Sequence, residues 1–380
     1  MKIGIVGGGQ LGLMIAEAAN NMGHSCMALD PAADAPAFAV CEDHIVAAYD
    51  DVEALRRLCE ASDVVTYEFE NIPAEVLEPL CEEFNIKQGC KPLLDSQDRL
   101  REKNNARANG LTPPKYAAVD DMESLQAAIE VVGLPAVLKS RRMGYDGRGQ
   151  AVLRSAEDVA RATDLLSVPC ILEEFITFDY EVSTVVVRSA KGAEGAEGAE
   201  GAEGVTVFPV GQNIHKRGVL DLSIVPAPKL SEELRKSIEQ QSIRFMQGCG
   251  YFGILAIEYF VRGEEVLFNE MAPRPHNSGH YTIEGCTESQ FSELVRFLTG
   301  EPLKGAELVG GSVVMKNILG EDYAEAQAVE AECERGEHSD TYVHIYGKTE
   351  CKVGRKMAHI TFVGMDQSGF NRGWSPRFGS

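Results

Sequence analysis

Short apolar runs alternate with helix-like patterns along the first part of the chain. The pattern predicts, in chain order, a strand at 2–7, a helix at 10–23, a strand at 25–30, a helix at 51–60 and a strand at 63–69. Helices and strands are distinguished here by the spacing of the apolar positions. Strands that alternate with helices build parallel α/β units, so we expect one such unit at residues 1–95.

The rest of the chain mixes the two patterns. Ser96 is predicted to cap a helix that ends before the boundary at Thr112-Pro113-Pro114, and residues 121–133 are predicted to form a second helix. The remaining elements expected are strands at 134–140, 150–155, 170–176, 180–188, 205–210 and 222–227, a helix at 232–247, a hairpin at 254–272, and strands at 311–317, 341–346 and 358–363. A chain of 380 residues exceeds one compact core, which predicts two or three domains.

Composition and charge exclude several functions. The chain is 44% hydrophobic and 25% charged, as is ordinary for a globular protein. Its formal net charge of −22 argues against binding to nucleic acid or to anionic membranes, because phosphate groups would be repelled. No apolar run approaches the roughly 20 residues that a membrane span needs. The N-terminal segment is expected to be a first strand rather than a signal peptide.

The cysteines and one biased segment carry no predicted chemistry. None of the ten cysteines forms a Cys-x-x-Cys pair, which favours reduced, buried thiols in a cytoplasmic protein over a disulfide scaffold or a zinc site. Residues 192–204 read GAEGAEGAEGAEG, with too few repeats and no proline for collagen. We expect this segment to be a flexible acidic extension between two strands.

The first candidate site follows the first predicted strand. Gly7, Gly9 and Gly12 form a Gly-x-Gly-x-x-Gly pattern between strand and helix, and Asp30 ends the next strand. This context is typical of a dinucleotide-binding turn. The alternative is a tight strand-to-helix crossover that binds another anion or nothing.

The second candidate site is the glycine-rich segment at 144–150, which follows Lys139 at the end of an apolar strand. Glycines let the backbone approach phosphate oxygens closely, and a lysine can reach the same phosphates. The alternative is an ordinary hairpin tip. The concentration of glycine, lysine and arginine favours a polyphosphate site.

The third candidate site is a pair of carboxylates on the hairpin at 254–272. With a three-residue turn, Arg262 pairs with Val266, and Glu258 then stands opposite Glu270. Like charges that face each other inside apolar runs are destabilising, and a divalent cation would compensate them. Together with Asn269, the pair suits Mg²⁺ that bridges phosphates. The alternative places one glutamate on the exposed surface without a partner.

Two further segments display polar side chains. The stiff loop after the hairpin carries Arg274, His276, Asn277 and His280, which suit an anionic substrate and proton transfer. Lys348 and the run at 354–356 concentrate cations in an acidic chain and suggest a phosphate site. A rigid surface turn and a solvated basic cluster are the respective alternatives.

Taken in order, these motifs resemble a known family. The segments that carry the resemblance are GGGQLG (7–12), YEFEN (67–71), GYDGRGQ (144–150), LFNEMAPRPHNSGH (267–280), and YGK with GRK (346–348, 354–356). They resemble the ATP-grasp superfamily and, within it, the family of N5-carboxyaminoimidazole ribonucleotide synthases. The likeness covers about residues 1–363.

The resemblance implies a mixed α/β and α+β protein with an ATP-grasp fold. A Rossmann-like N-terminal domain would occupy 1–95, the ATP-grasp domain 96–300 with a small lid at about 112–175, and a small β-rich C-terminal domain 301–380. The implied reaction carboxylates aminoimidazole ribonucleotide with bicarbonate and ATP, through carboxyphosphate, in purine synthesis. The implied partners are these small molecules and a second copy of the chain, with no nucleic acid and no membrane.

The resemblance also implies roles for individual residues. ATP would be surrounded by Arg99, Lys139, Gly144, Tyr145, Asp146, Gly147, Arg148, Gly149, Gln150, Glu173, Glu174, Phe175, Ile176, Glu181, His215, Asn269 and Glu270. The ribonucleotide would lie near Glu68, Glu70, Tyr145, Asp146, Arg148, Lys348, Arg355 and Lys356. Glu258 and Glu270 would hold Mg²⁺, and Arg274, His276 and Lys348 would be catalytic.

The chain departs from the family pattern at its end. Residues 364–380 lack the apolar periodicity of the helix that is expected to close the C-terminal domain. Three other functions are weighed against the ligase. A dinucleotide oxidoreductase leaves the carboxylate hairpin unused, and a nucleotide-binding regulator needs neither the loop at 272–280 nor the cations at 348–356. A different ATP-grasp ligase keeps the ATP site and changes only the acceptor.

Overall fold

The computed structural model describes residues 1–142, 149–190 and 204–378. In these residues the strands form three sheets, of four, nine and four strands. The described ranges leave out most of the acidic segment at 192–204 and most of the glycine-rich segment at 144–150. Within the described ranges, no helix has the length and apolar character needed to cross a membrane.

The first sheet is built from parallel strands. Its elements are β1 (Lys2–Val6), α1 (Gln10–Asn21), β2 (Ser25–Asp30), β3 (Asp43–Val46), α2 (Val52–Glu60), β4 (Val64–Tyr67), α3 (Ala74–Glu83) and α4 (Lys91–Ser96). The strand order is β3-β2-β1-β4, and all neighbours are parallel. Apolar side chains from β1 and β2 enter one hydrophobic cluster with α1 and another with α2 and α3. The predicted parallel α/β arrangement is confirmed.

A second, antiparallel sheet follows. Its elements are α5 (Arg99–Ala108), β5 (Tyr116–Val119), α6 (Met122–Val132), β6 (Ala136–Ser140), β7 (Gln150–Leu153), α7 (Ala156–Arg161) and β8 (Cys170–Glu174), with strand order β5-β8-β6-β7. The predicted cap of α5 was wrong. Its N-cap is Asp98, whose carboxylate accepts from the N–H groups of Leu100 and Arg101, while Ser96 ends α4.

The largest sheet contains the remaining strands. Its elements are β9 (Tyr180–Arg188), β10 (Val205–Val207), β11 (Gly211–Lys216), β12 (Val219–Val225), α8 (Glu232–Gly248), β13 (Gly253–Arg262), β14 (Glu265–Ala272), α9 (Thr282–Gly285), α10 (Gln290–Thr299), β15 (Val313–Leu319), α11 (Tyr323–Glu334), β16 (Thr341–Ile345), β17 (Lys356–Val363) and α12 (Gln367–Gly373). The order is β14-β13-β9-β11-β12-β15-β17-β16, with β10 paired to β9. The C-terminal strands therefore extend the sheet that carries the carboxylate hairpin.

The C-terminal tail is packed, contrary to the expectation from its sequence. Phe370, Trp374 and Phe378 are buried against the face of the large sheet, in one cluster with Phe362. These three side chains recur every four positions, which places them on one side of α12 and the turn after it. A short closing helix forms because three large aromatic residues suffice to anchor it.

The cysteines are also partly different from the prediction. Cys81 and Cys90 form a disulfide, so the expectation that all ten thiols are reduced was wrong for this pair. Cys81 lies on α3 and Cys90 comes directly before α4, and the chain reversal between these helices brings their Cα atoms to 6.8 Å. Cys26, Cys59 and Cys170 are buried free thiols, as predicted.

Candidate active site

The two predicted metal ligands face each other across the β13–β14 hairpin. Glu258 pairs with Glu270, as expected. The reasoning that led there was wrong about the turn, because Arg262 pairs with Glu265 and only two residues connect the strands. A β-bulge at Asn269 shifts the register by one residue and restores the facing pair. Two errors of one residue therefore cancelled.

The electrostatics of this pair suit a divalent cation. Glu258 is 9% exposed, and burial together with the charge of Glu270 raises its pKa. Asn269 Nδ2 lies 3.5 Å from one Glu258 oxygen and His276 Nε2 lies 3.5 Å from the other. Two close carboxylates with a neighbouring amide oxygen form a donor set that fits Mg²⁺, which takes one or two protein carboxylates and completes its shell with phosphate and water oxygens. Among the described residues, no three or more His, Cys, Asp or Glu side chains form a metal-binding group.

An arginine and a histidine lie close to the carboxylates. Arg99 Nη1, at the start of α5, lies 3.7 Å from Glu270 Oε2. On the neighbouring strands, His215 Nδ1 lies 2.7 Å from Glu181 Oε2. Burial would lower the pKa of His215, but the hydrogen bond to Glu181 and the nearby carboxylates raise it. The carboxylates therefore favour the protonated form of the His215 imidazole beside the acidic pair.

Lys139 is held in place by a buried ion pair. Its Nζ lies 2.9 Å from Glu173 Oε2, and Lys103 Nζ lies 3.7 Å from the same oxygen. Burial would raise the pKa of Glu173, but the charges of Lys103 and Lys139 lower it to about 2. The predicted nucleotide residue Glu173 thus lies behind Lys139 as an anionic support.

The other predicted ATP residues flank this group. Gly144, Tyr145, Asp146, Gly147 and Arg148 lie outside the described residues. Gly149 has φ +69°. Gln150, the first residue of β7, pairs with Lys139 on β6, so the predicted β6–β7 hairpin is confirmed. The pairing brings the end of the glycine-rich segment beside Lys139. Glu174 ends β8 and is followed by Phe175 and the buried Ile176.

The loop after the hairpin is tied to the N-terminal α/β unit. The guanidinium of Arg274 is in contact with the carboxylate of Glu70, and Gln88 Nε2 donates to the carbonyl of Pro273 at 2.9 Å. His276 is buried, and burial together with the charges of Arg274 and Lys356 lowers its pKa well below the usual value. The imidazole of His276 is therefore neutral and can act as a hydrogen-bonding group beside Glu258.

The glycine-rich turn after β1 is filled by side chains of the protein. Gly8 N–H donates to Asp30 Oδ2 and Gly9 N–H donates to Glu68 Oε1, each at 2.8 Å. A Cβ on Gly7 would lie 2.5 Å from the Glu68 side chain. These N–H groups would bind the pyrophosphate in a dinucleotide site. The carboxylates already occupy them, so the geometry does not favour the dinucleotide interpretation.

The predicted acceptor cations gather close to this turn. Lys348 Nζ donates to Gln10 Oε1 at 2.8 Å and to the carbonyl of Lys356 at 2.7 Å. Burial and the charges of Arg355 and Lys356 lower the pKa of Lys348 to about 8. Burial raises the pKa of Glu68 to about 7, despite its hydrogen bond from Gly9. The start of α1 and the start of β17 thus both contact Lys348.

Sequence reasoning missed several residues of this region. Gln10 and Gln88 connect distant parts of the chain, and Glu102 and Lys103 support the bulge. The pair on α5 carried no signal either, because residues 99–108 read RLREKNNARA and two more charged residues do not stand out in so polar a helix. Amide side chains such as those of Gln10 and Gln88 have no distinctive pattern.

Comparison with known proteins identifies the family. Three family models match: a ribonucleotide synthetase preATP-grasp domain at 1–94, an ATP-grasp domain at 104–291 and a phosphoribosylaminoimidazole carboxylase C-terminal domain at 313–372. These matches confirm the expected fold class. N5-carboxyaminoimidazole ribonucleotide synthase of Bacillus subtilis is 40% identical over 363 residues, covering 95% of this chain and 91% of the relative.

Solved structures agree with this assignment. The Staphylococcus aureus N5-carboxyaminoimidazole synthetase complexed with ADP has a TM-score of 0.89 at 36% identity, covering 100% of this chain and 97% of that chain. The Aspergillus clavatus N5-carboxyaminoimidazole synthase in complex with ADP and 5-aminoimidazole ribonucleotide has a TM-score of 0.86 at 26% identity, covering 99% and 97%. The chain therefore belongs to the N5-carboxyaminoimidazole ribonucleotide synthase family of ATP-grasp ligases.

Proposed function

We propose that this chain carboxylates 5-aminoimidazole ribonucleotide with bicarbonate at the expense of ATP, giving N5-carboxyaminoimidazole ribonucleotide, ADP and phosphate. The observation that carries the proposal is the likeness to N5-carboxyaminoimidazole ribonucleotide synthases over nearly the whole chain. The facing carboxylates, the buried lysine pair and the cluster of cations supply groups that suit each substrate. The reaction belongs to purine synthesis.

The ATP half of the site lies between the second and third sheets. We assign Glu258 and Glu270 as the Mg²⁺ ligands, with Arg99 and Lys139 as cations for the phosphates. When bound, Mg²⁺ supplies positive charge to the transferred phosphoryl group. Glu181, held by His215, accepts from the ribose hydroxyl groups, and the segment 173–176 lies along the adenine.

The acceptor half lies where the first sheet meets β17. Lys348, Arg355 and Lys356 bind the phosphate of the ribonucleotide, and Glu68 or Glu70 lies toward its base. The loop that holds Arg274 and His276 connects the two halves. Arg274 positions the carbonate, because its guanidinium offers paired donors to a planar anion.

Catalysis in this arrangement is mainly positioning and charge neutralisation. Bicarbonate attacks the γ-phosphorus of ATP, ADP leaves, and carboxyphosphate forms. The exocyclic amine of the ribonucleotide then attacks the carboxyl carbon, phosphate leaves, and the amine loses a proton. Water must be excluded while carboxyphosphate exists, because this intermediate is short-lived.

The assay that tests the proposal measures phosphate release from ATP with and without each of the other substrates. We expect full release only with Mg²⁺, bicarbonate and 5-aminoimidazole ribonucleotide together, and incorporation of labelled bicarbonate into an acid-labile product. The rival function is an ATP-grasp ligase for a different phosphorylated amine. Phosphate release that ignores the ribonucleotide would refute the proposed acceptor and leave the ligase class intact.

The domain division at 1–95, 96–300 and 301–380, the cytoplasmic location and the homodimer are also part of this proposal. The matches at 1–94, 104–291 and 313–372 support the division. The biosynthetic role supports a location in the cytoplasm. Light scattering of the purified protein tests the homodimer, because a dimer of 41.3 kDa chains has twice the monomer mass.

A further inference from the structure

The bulge that sets the metal pair is held by two adjacent residues of α5. Glu102 and Lys103 are 2% and 1% exposed. Glu102 Oε1 accepts from the N–H of Met271 at 2.7 Å, and Lys103 Nζ is in hydrogen-bonding contact with the carbonyl of Asn269. These two backbone groups lie on either side of Glu270. Both peptide groups that orient the Glu270 side chain are therefore tied to α5.

Strand β14 explains why such contacts are needed. It is an edge strand of the large sheet, so one side of its backbone has no neighbouring strand. On that side, Phe268 N–H donates to the carbonyl of Thr112 at 2.8 Å, and α5 supplies the partners for the groups next to it. An apolar residue at 102 or 103 would fill the same volume but leave a buried backbone group unpaired.

Lys103 also connects strand β14, which carries Glu270, with strand β8, which carries Glu173. Its Nζ lies 3.7 Å from Glu173 Oε2 on β8, and Glu173 in turn holds Lys139 at 2.9 Å. The Lys103 ammonium group thus contacts β14, which carries the proposed metal ligand Glu270. It also lies close to Glu173, the carboxylate that supports the proposed phosphate-binding residue Lys139.

We propose that Glu102 and Lys103 are positioning residues for the metal-bound nucleotide: they hold the bulge at Asn269 so that Glu270 faces Glu258 at the distance from Lys139 that Mg²⁺ and the phosphates require. This proposal rests on the proposed function of the site. Neither residue touches the reacting atoms. Their replacement alters metal affinity and the Michaelis constant for ATP rather than removing a chemical group.

The test measures Mn²⁺ affinity by electron paramagnetic resonance in the presence of ADP. Glu102→Leu and Lys103→Met are expected to weaken Mn²⁺ binding by about 10- to 100-fold, the range seen for residues that orient metal ligands. Glu102→Gln keeps an acceptor oxygen for Met271 N–H and is expected to retain affinity. In steady-state kinetics, KM for ATP rises more than kcat falls in the weakened variants.

A matched control separates positioning from general destabilisation. Ser242 on α8 hydrogen-bonds the hydroxyl group of Tyr259 at 2.7 Å; Tyr259 borders the bulge, but its side chain points to the face of the hairpin opposite Glu258, so both α5 contacts stay intact. Ser242→Ala should lower the melting temperature without changing Mn²⁺ affinity. Equal loss of affinity in Ser242→Ala and Glu102→Leu, or unchanged affinity in Glu102→Leu, would overturn the inference.

The outcomes also distinguish this inference from the proposed function. If the unmodified protein does not bind Mn²⁺ with ADP, the nucleotide site itself is misassigned. If it binds and both α5 variants bind equally well, only the positioning role fails. Should Lys103→Met not fold, the comparison of Glu102→Leu with Glu102→Gln still decides the question, because both variants remove the same charge and only one removes the acceptor.

Discussion

Glu68 offers the sharpest test of the electrostatics around the glycine-rich turn. Its carboxylate is buried, accepts from Gly9 N–H, and has its pKa raised to about 7, first by burial and then by the charges of Asp30 and Glu70. We predict that Glu68→Gln stabilises the folded protein at pH 8. The amide oxygen can still accept from Gly9, while the buried negative charge disappears.

The sign and the size follow from the two pKa values. A carboxyl group whose pKa is higher in the folded state binds its proton more tightly there, so its ionisation destabilises the fold. The cost is absent below the ordinary pKa of 4.5, grows as the pH rises, and is complete above about 7. At about 1.4 kcal/mol per pKa unit, it reaches roughly 3 kcal/mol at pH 8 and stays below about 1 kcal/mol at pH 5.

Urea unfolding followed by circular dichroism at pH 5, 6, 7 and 8 measures this effect. The difference in unfolding free energy between Glu68→Gln and the unmodified protein should move in favour of the variant by about 2 to 3 kcal/mol over this range. If the new amide also lowers the unfolding free energy by a fixed amount, the difference shifts equally at all four pH values and its change with pH stays the same. Glu264→Gln, in the exposed hairpin turn, serves as control and should give a flat difference. A flat difference for Glu68→Gln as well would refute the reasoning.

Three further changes test other parts of the structure. Glu270→Gln should abolish Mg²⁺·ATP turnover while leaving the melting temperature unchanged or raised, because it relieves the repulsion with Glu258; normal turnover would contradict the metal assignment. Trp374→Ala should cost about 3 to 5 kcal/mol of unfolding free energy, since it empties a buried aromatic cluster, and an unchanged melting temperature would show that the tail is not packed. As the pH rises above about 8, Lys348 loses its charge, so kcat/KM for the ribonucleotide should fall by up to about tenfold per pH unit. Lys348→Arg should remove that decline, because arginine stays charged, and a decline that persists would locate it elsewhere.

The β13–β14 hairpin shows which structural features the sequence pattern predicts and which it does not. Apolar alternation placed both strands, and the two carboxylates were recognised as a pair. The bulge at Asn269 could not be predicted, because its stability comes from Glu102 and Lys103, more than 160 positions earlier in the chain. Local pattern predicts which residues share a strand, while the register depends on contacts that only the fold creates.

The prediction for the C-terminal tail was wrong for a different reason. Phe370, Trp374 and Phe378 do follow a helical period, but Gly369, Gly373 and Pro376 interrupt it and lower the local helix propensity. Tertiary burial of three aromatic side chains outweighs that propensity, since each contributes on the order of 2 kcal/mol or more. The four-residue spacing of the aromatic side chains did indicate a helix, but the glycine and proline residues near them argued against one.

The glycine-rich turn shows why a motif with the right context can still mislead about chemistry. Gly7, Gly9 and Gly12 create a helix N-terminus with free N–H groups, and this much is readable from the sequence. What fills it depends on Asp30 and Glu68, which the parallel sheet brings to the same edge. The turn thus fixes Glu68 near Lys348, so the positive end of the helix holds an acidic side chain close to a proposed acceptor cation. The same local structure that holds a phosphate in a dinucleotide-binding protein here holds two carboxylates at the edge of the proposed ligase site.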